Sequence, residues 1–256
     1  MFRLSIFVVF VALSTSGFCE DKPLLACGSD SEQPPFSFFE RKDSTKTTQV
    51  RGLTIDILKS LESKLGQKVN VELLPWKRCL AGLADGKYDL LIDDRPVQTN
   101  ANTLLYSKEY FQLHPIYAFA LAAKGADFDV SRPGVLAQQK VCGFPGKQYD
   151  AFGIKASQVE YGSSSYKYTF EKLKIGNCDL IVEYREVIAG LFLVDPLMAA
   201  VIKDKSFVIR PLQNTKPIGL VFSLPKMSTV LLSKLNAGLT DMIKKDQINT
   251  LLEPYF

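Results

Sequence analysis

Three consecutive charged residues, Asp93-Asp94-Arg95, follow the apolar run at 90–92 and could bind a small polar molecule. A carboxylate accepts hydrogen bonds from an ammonium or hydroxyl group, and a guanidinium binds a carboxylate through two parallel bonds. Consecutive strand residues point to opposite faces, so not all three can face one ligand. We select Asp94 and Arg95 as candidate ligand contacts, with a solvated acidic turn as the alternative.

Two more polar groups follow predicted strands later in the chain. Glu183 ends the apolar run at 180–182, and a surface salt bridge with Arg185 or a lysine is the alternative to a ligand contact. Gly146-Lys147 is predicted to open a helix, where free N–H groups favour anions. Any helix start has this property, so an anion contact at Gly146 and Lys147 is a weakly specific prediction.

Two aromatic residues are candidate ligand contacts. Trp76, the only tryptophan, follows a predicted strand closed by Pro75, which places it on the side of the sheet where a crevice opens. Alternatively, Trp76 covers the next helix against Cys27. Tyr110 lies near a predicted crossing between two halves of the chain, and a structural role is its alternative.

The chain carries no pattern typical of catalysis. It has no serine elbow and no phosphate-binding loop, and nothing pairs an obvious nucleophile with a base. The single histidine, His114, stands beside Pro115. There is no CxxC pair, so a zinc site is a poor interpretation. We expect no catalytic residue, no metal and no cofactor.

Apolar periodicity predicts an α/β fold. Leu53, Ile57, Leu61 and Leu65 recur at helical spacing, and residues 52–93 give the order helix, strand, helix, strand. That order is typical of an open α/β sheet whose ligand crevice lies at the carboxyl ends of its strands.

A second α/β set begins near residue 140, and the apolar segments 116–123 and 218–224 look like strands that cross between the two sets. We therefore expect a two-lobed α/β fold in which each lobe is an open, mostly parallel sheet with flanking helices. Lobe 1 comprises 20–115 plus 218–256, and lobe 2 comprises 116–217. Two crossing strands make a natural hinge beside a cleft.

The first nineteen residues have the three parts of a secretory signal peptide. A short basic start precedes the apolar run 4–13 and a small polar stretch, and cleavage is expected before Glu20 or after Gly17. The apolar run is about half the roughly 20 residues that a membrane span needs. We expect an exported, soluble, periplasmic protein.

Cleavage before Glu20 would leave four cysteines, an even set that is typical of disulfides in an exported protein. Three pairings are open, and topology favours Cys27–Cys79 and Cys142–Cys178, one in each lobe. Four buried thiols are the alternative. The net charge of +4 is spread in mixed-sign clusters without a long Lys/Arg run, so we expect no nucleic-acid partner.

Several ordered segments resemble the bacterial extracellular solute-binding proteins of family 3, which serve polar amino-acid uptake. The resemblance covers essentially the whole chain after the signal peptide, and the segment around Trp76-Lys77-Arg78-Cys79 is similar to a subgroup that supports the Cys27–Cys79 pairing. The segments that carry it are PPFSFFE, GLTIDILKSLESKLG, LADGKYD, YSKEY, GNCD and LNAGLTDMIKKDQINTLL.

The resemblance implies two further ligand contacts and one departure. Phe36 stands where the family places an aromatic ring on the ligand, although it could equally cover the core. Glu183 stands near a family aspartate that pairs with a ligand ammonium. The family arginine that binds a ligand carboxylate is missing, because Asn100-Ala101-Asn102 follows Thr99. Arg95 could reach the cleft instead.

The function implied is a periplasmic solute-binding protein that closes on a small polar molecule, either an amino acid or a related amine or organic acid. Its partners would be that ligand and a membrane transporter or sensor receptor, and we expect a monomer. The alternative is a periplasmic enzyme on the same fold, similar to cyclohexadienyl dehydratases, with Glu183 or Asp94 as the proton donor.

Overall fold

The computed structural model describes residues 22–96, 103–145, 147, 149–163, 165–213 and 215–256. The predicted signal peptide and Gly146 lie outside these residues. Within the described part of the chain, no helix is long and apolar enough to cross a membrane.

Strands and helices alternate along most of the chain. The strands are β1 (Leu24–Ser29), β2 (Phe38–Lys42), β3 (Thr45–Arg51), β4 (Val69–Leu74), β5 (Leu90–Asp94), β6 (Leu104–Tyr106), β7 (Phe111–Leu113), β8 (Pro115–Ala120), β9 (Val141–Cys142), β10 (Val159–Glu160), β11 (Leu180–Tyr184), β12 (Phe207–Pro211) and β13 (Ile218–Pro225). The α-helices are α1 (Leu53–Leu65), α2 (Trp76–Ala84), α3 (Leu121–Lys124), α4 (Tyr166–Lys174), α5 (Arg185–Gly190), α6 (Met198–Lys203), α7 (Thr229–Lys244) and α8 (Gln247–Leu252).

The strands form two large sheets. One has the order β4-β1-β5-β13-β6, with β7 also on β13, and the other has the order β10-β9-β11-β8-β12. The strands β4-β1-β5 and β10-β9-β11 are parallel, as the alternating pattern predicts. The crossing strands β8 and β13 pair antiparallel with their neighbours, so both sheets are mixed.

The first sheet is stabilised by an apolar helix layer on which the candidate site depends. Helix α1 buries Leu53, Ile57, Leu61 and Leu65, the stripe that the sequence predicts, and also Leu58. Burying each such side chain stabilises the fold by about 1.5 to 3 kcal/mol. The polar segment before α1 forms the predicted hairpin of β2 and β3.

The N-terminus of α1 is closed by the backbone that precedes β2. The Leu53 N–H donates to the Pro35 carbonyl at 2.9 Å, and the Thr54 N–H donates to the Phe36 carbonyl at 3.0 Å. Gly52 permits this approach, because a Cβ there would lie 2.1 Å from the Phe36 oxygen and its φ is +130°. The first N–H groups of a helix have no partner within the helix, and in α1 two of them donate to carbonyl groups of the preceding chain instead.

The four cysteines are paired as Cys27–Cys79 and Cys142–Cys178, each pair with its Cα atoms 5.5 Å apart. The first pair joins β1 to α2, and the second joins β9 to the turn before β11. Neither pair links the two large sheets.

The chain passes between the sheets at two places. Only His114 separates β7 from β8, and residues 212–217 separate β12 from β13. The Leu212 N–H donates to the Pro115 carbonyl at 3.0 Å, which joins the two crossings. We propose that residues 20–115 with 218–256 form lobe 1 and that 116–217 form lobe 2, and these names are used below.

Candidate functional site

The three charged residues at the end of β5 point in three directions. Asp93 is in the left-handed region with φ +53°, and the pairing of β5 with β13 shifts register beside it. The backbone turn therefore separates side chains that a regular strand would alternate between two faces.

Asp93 points into lobe 1 and is buried. Its carboxylate accepts hydrogen bonds from the hydroxyl groups of Ser37, Thr54 at 2.5 Å and Tyr110 at 2.7 Å. Burial raises the pKa of Asp93, while these hydrogen bonds act in the opposite direction. The network ties β5 to α1 and to the segment before β7.

Tyr110, a predicted ligand contact, belongs to this network, and its contact with a ligand stays a prediction. Its ring is 3% exposed and stacks on Phe222 with 4.7 Å between centroids. Its hydroxyl group also accepts a hydrogen bond from the Asp93 N–H at 3.1 Å. Tyr110 has the structural role that the sequence left as the alternative.

Asp94 lies within lobe 1 and is half-buried. Its carboxylate accepts from the Ser223 hydroxyl at 2.5 Å and from the Arg95 N–H at 2.8 Å. Burial raises the pKa of Asp94, and these two bonds and the charge of Arg95 act in the opposite direction. A ligand contact at Asp94 stays a prediction.

Arg95 connects the two lobes. Its Nη2 donates to the Gln33 side-chain oxygen at 2.7 Å in lobe 1, and its Cζ lies 4.9 Å from the ring centroid of Tyr184 in lobe 2. Its Nε is buried and has no hydrogen-bond partner among the described residues. Burying a charged donor without a partner is costly, so this nitrogen is suited to a ligand acceptor.

The opposing wall in lobe 2 is built around Glu183, which is 2% exposed. Its Oε2 accepts from the Lys147 ammonium and the Tyr166 hydroxyl, and its Oε1 accepts from the Tyr184 N–H at 2.9 Å. The surface salt bridge with Arg185 does not form, because that side chain pairs with Glu186.

Burial lowers the pKa of Lys147, while the charge of Glu183 raises it and the charge of Arg95 lowers it further. Burial, followed by the charge of Glu183, raises the pKa of Tyr166 well above its ordinary value. The two cations of opposite lobes, Arg95 and Lys147, thus lie within electrostatic reach of each other.

The predicted helix start at Gly146-Lys147 is wrong. Pro145, Lys147 and Tyr149 have no helical structure, and only a short 3-10 helix follows at Asp150–Phe152. Lys147 instead turns towards Glu183, because a buried carboxylate needs a positive partner. Gly146 lies outside the described residues, so its predicted contact stays untested.

The two remaining aromatic candidates pack inside lobe 1. Phe36 is fully buried with its ring centroid 5.1 Å from that of Phe111, which fits the core-covering alternative, and its ligand contact stays a prediction. Trp76 begins α2 and packs, partly buried, against the apolar cluster that contains Cys27 and Cys79. This is the covering role that the sequence left open, and a ligand contact of Trp76 stays a prediction.

Sequence reasoning identified neither Gln33 nor Tyr166 as a site residue. Gln33 lies directly before Pro34-Pro35, at the turn after β1, so its position at a strand end was a usable signal. Tyr166 carried no such signal, because it begins α4 and reaches Glu183 only through the packing of α4 on β11.

A family model for bacterial extracellular solute-binding proteins, family 3, matches residues 25–256. A sequence search of curated proteins returns no match.

Among solved structures, the chain is similar to the substrate-binding protein of an amino acid ABC transporter, with 18% identity, coverage of 92% of this chain and 99% of that one, and a TM-score of 0.67. It is similar to a histidine kinase sensor domain that resembles periplasmic binding proteins, with 14% identity, coverage of 93% and 97%, and a TM-score of 0.70. It is also similar to the amino acid ABC transporter substrate-binding protein AbpA from Streptococcus pneumoniae bound to L-arginine, with 17% identity, coverage of 91% and 93%, and a TM-score of 0.69. At these identities, the likeness establishes the fold.

Proposed function

Given that the chain belongs to the bacterial extracellular solute-binding proteins of family 3, we propose that it closes its two lobes on a small polar solute. The observation that carries this proposal is the position of Arg95, whose guanidinium lies between Gln33 of lobe 1 and Tyr184 of lobe 2. A solute that contacts Arg95 and the Glu183 wall together would bind the closed form more tightly than the open form, and only such differential affinity can favour closure.

The closed form brings backbone of the two lobes together. A Cβ at Gly190 of α5 would lie 2.7 to 2.8 Å from the backbone of Pro34 and Pro35 in lobe 1. This contact fixes how closely α5 approaches the turn after β1, and Gln33 belongs to the same turn. A micromolar affinity corresponds to about 8 kcal/mol, which a few charge-assisted hydrogen bonds in a closed cleft supply.

We place this protein in the periplasm after removal of residues 1–19, as a monomer that delivers the solute to a membrane transporter or a sensor. Both kinds of partner are represented among proteins of this fold, one an amino acid ABC transporter component and the other a histidine kinase sensor domain. No nucleic-acid partner is proposed.

We propose binding without turnover. The proton donor that an enzyme similar to cyclohexadienyl dehydratases needs would have to be Glu183 or Asp94. Glu183 is already bound by Lys147 and Tyr166, and Asp94 by Ser223, which leaves neither carboxyl free to deliver a proton. Incubation with prephenate-like acids should give no product.

A melting-temperature screen of amino acids, amines and organic acids tests the proposal. A solute that binds the folded protein raises its melting midpoint. The free energy of unfolding increases by about 2.7 kcal/mol when the solute concentration is one hundred times its dissociation constant. A screen without any hit across these classes contradicts the proposal.

The variant Arg95→Ala should lower the affinity for any solute found in the screen by at least tenfold, because alanine has no donor in place of the buried guanidinium. Affinity is measured by titration calorimetry. Arg51→Ala is the matched control, since Arg51 of lobe 1 is exposed and pairs only with Glu40 among the described residues. Unchanged affinity of Arg95→Ala removes Arg95 from the site.

A further inference from the structure

We infer that the solute is a small organic acid without an ammonium group beside its carboxylate, bound between Arg95 of lobe 1 and Lys147 of lobe 2. The inference rests on the proposed function and names the chemical class that the same cleft accepts. Two features of the described residues carry it: a guanidinium without a salt bridge, and the carboxylates of Glu183, Asp93 and Asp94, which already accept hydrogen bonds from the protein.

The guanidinium of Arg95 lies within electrostatic reach of Asp93 and Asp94 but forms no hydrogen bond with either carboxylate. Among the described residues, no Asp or Glu side chain forms a salt bridge with it, and its hydrogen bond goes to the neutral amide of Gln33. Its Nε is buried and unpaired, and its π face rests on Tyr184. A guanidinium presents five N–H donors, so a carboxylate supplies the acceptors that this site lacks.

The carboxylate of Glu183 already has a cation of its own. Lys147 and Tyr166 both donate to Oε2, and the Tyr184 N–H donates to Oε1. The ammonium of Lys147 lies 5.6 Å and 5.8 Å from the ring centroids of Tyr149 and Phe152, so aromatic side chains enclose it on lobe 2. A ligand ammonium would have to displace Lys147 or lie beside it, and two adjacent cations repel.

Asp93 and Asp94, which directly precede Arg95, also accept hydrogen bonds within the protein. Asp93 points into lobe 1 and accepts from three hydroxyl groups, and Asp94 accepts from Ser223 and from backbone. Lys147 is paired with Glu183, whereas the Arg95 guanidinium forms no salt bridge with a described residue. The guanidinium can therefore bind the carboxylate of a solute, while an α-ammonium would have to replace hydrogen bonds that Glu183, Asp93 and Asp94 already accept.

Matched pairs of compounds test the inference by titration calorimetry on the full mature chain. Succinate is compared with aspartate, 2-oxoglutarate with glutamate, and putrescine serves as a dication. At least one acid should bind ten times more tightly than its amino counterpart, and putrescine should not bind. Tighter binding of the amino acid, or binding of putrescine, overturns the inference and leaves solute binding intact.

Failure of all five compounds also overturns the inference, whereas the proposed function is judged separately by the wider melting screen. A hit there from an amine or an amino acid supports solute binding and confirms that the acid class was wrong. A screen without hits removes both.

Two substitutions separate charge from packing. Lys147→Met should lower the affinity for the acid by at least tenfold. It should also reduce the ratio of the affinity for the acid to that for its amino counterpart, because Glu183 is then free to bind an ammonium. Lys147→Arg keeps the cation and should retain affinity within a few fold. Lys172→Met removes a different lysine–glutamate pair of lobe 2, the one with Glu160, and should leave affinity unchanged. Equal affinity of Lys147→Met and the unmodified protein contradicts the role of Lys147.

Discussion

Three consecutive side chains at the end of β5 have different contacts, although they are adjacent in the sequence. Asp93 joins a hydroxyl network inside lobe 1, Asp94 binds Ser223 across the sheet, and Arg95 reaches the other lobe. The sequence predicts that the three must diverge, because strand residues alternate. It does not predict the left-handed backbone at Asp93, which depends on the irregular pairing with β13.

Replacement of Asp93 tests the structural role of the network. Asp93→Ala should lower the free energy of unfolding by about 2 to 4 kcal/mol, because the hydroxyl groups of Ser37, Thr54 and Tyr110 lose their buried acceptor. Urea denaturation measures this change. Asp127→Ala, at an exposed position, is the control. A loss below 0.5 kcal/mol, taken as roughly the limit for surface changes, contradicts the role.

At the scale of elements, α5 and the turn after β1 meet at Gly190. The α/β order and the crossing strands were predictable, because apolar periodicity and glycine stops are local signals. The contact between α5 and Pro34-Pro35 was not, since it joins residues about 155 positions apart and depends on how the lobes close.

Gly190→Ala should weaken solute binding by at least tenfold, because the added Cβ meets lobe 1 backbone only when the lobes close. Calorimetry gives the affinity, and small-angle scattering should show a more open molecule. Gly238→Ala is the matched control, since that helical glycine meets Leu61 within lobe 1. If both variants bind equally well, the contact does not limit closure.

Each disulfide connects elements of a single lobe, and its removal should destabilise that lobe. The chain-entropy model gives about 4 kcal/mol for loops of this size, which span 52 and 36 positions. Cys79→Ala together with Cys27→Ala, and the equivalent pair at Cys142 and Cys178, should each lower the unfolding midpoint. Peptide mapping without reduction checks the pairing, and a Cys27–Cys142 peptide would contradict it.

For the molecule as a whole, buried tyrosines should make the free energy of unfolding fall at alkaline pH. Burial raises the pKa of several tyrosines above their ordinary value, that of Tyr184 to about 12. The others with this shift are Tyr88, Tyr110, Tyr149, Tyr166 and Tyr255.

The folded chain keeps these protons above pH 10, where the unfolded chain loses them. Their contribution to stability is therefore complete below about pH 10 and is lost as pH rises through the folded pKa values. Lys147 has the opposite sign, because its pKa is lowered, and it offsets only part of the loss.

Unfolding by urea at pH 9 and pH 11 should show this loss, with about 1 kcal/mol of it from Tyr184 by pH 11. Tyr184→Phe should reduce the difference between the two pH values by about that amount. Tyr161→Phe, which changes an exposed ring, is the control. A stability that rises from pH 9 to pH 11 contradicts the assignment.

Local sequence patterns predict the order of elements, the strand ends where polar groups collect and the likeness to a binding-protein family. Those features arise from residues within one helix or strand, so local spacing carries them. The folded structure was needed to show which of these polar groups lie close together. The side chains of Arg95, Lys147 and Glu183 lie near one another because strands of both lobes pack together. The backbone turn before Arg95 and the burial of Lys147 and Glu183 depend on residues distant along the chain.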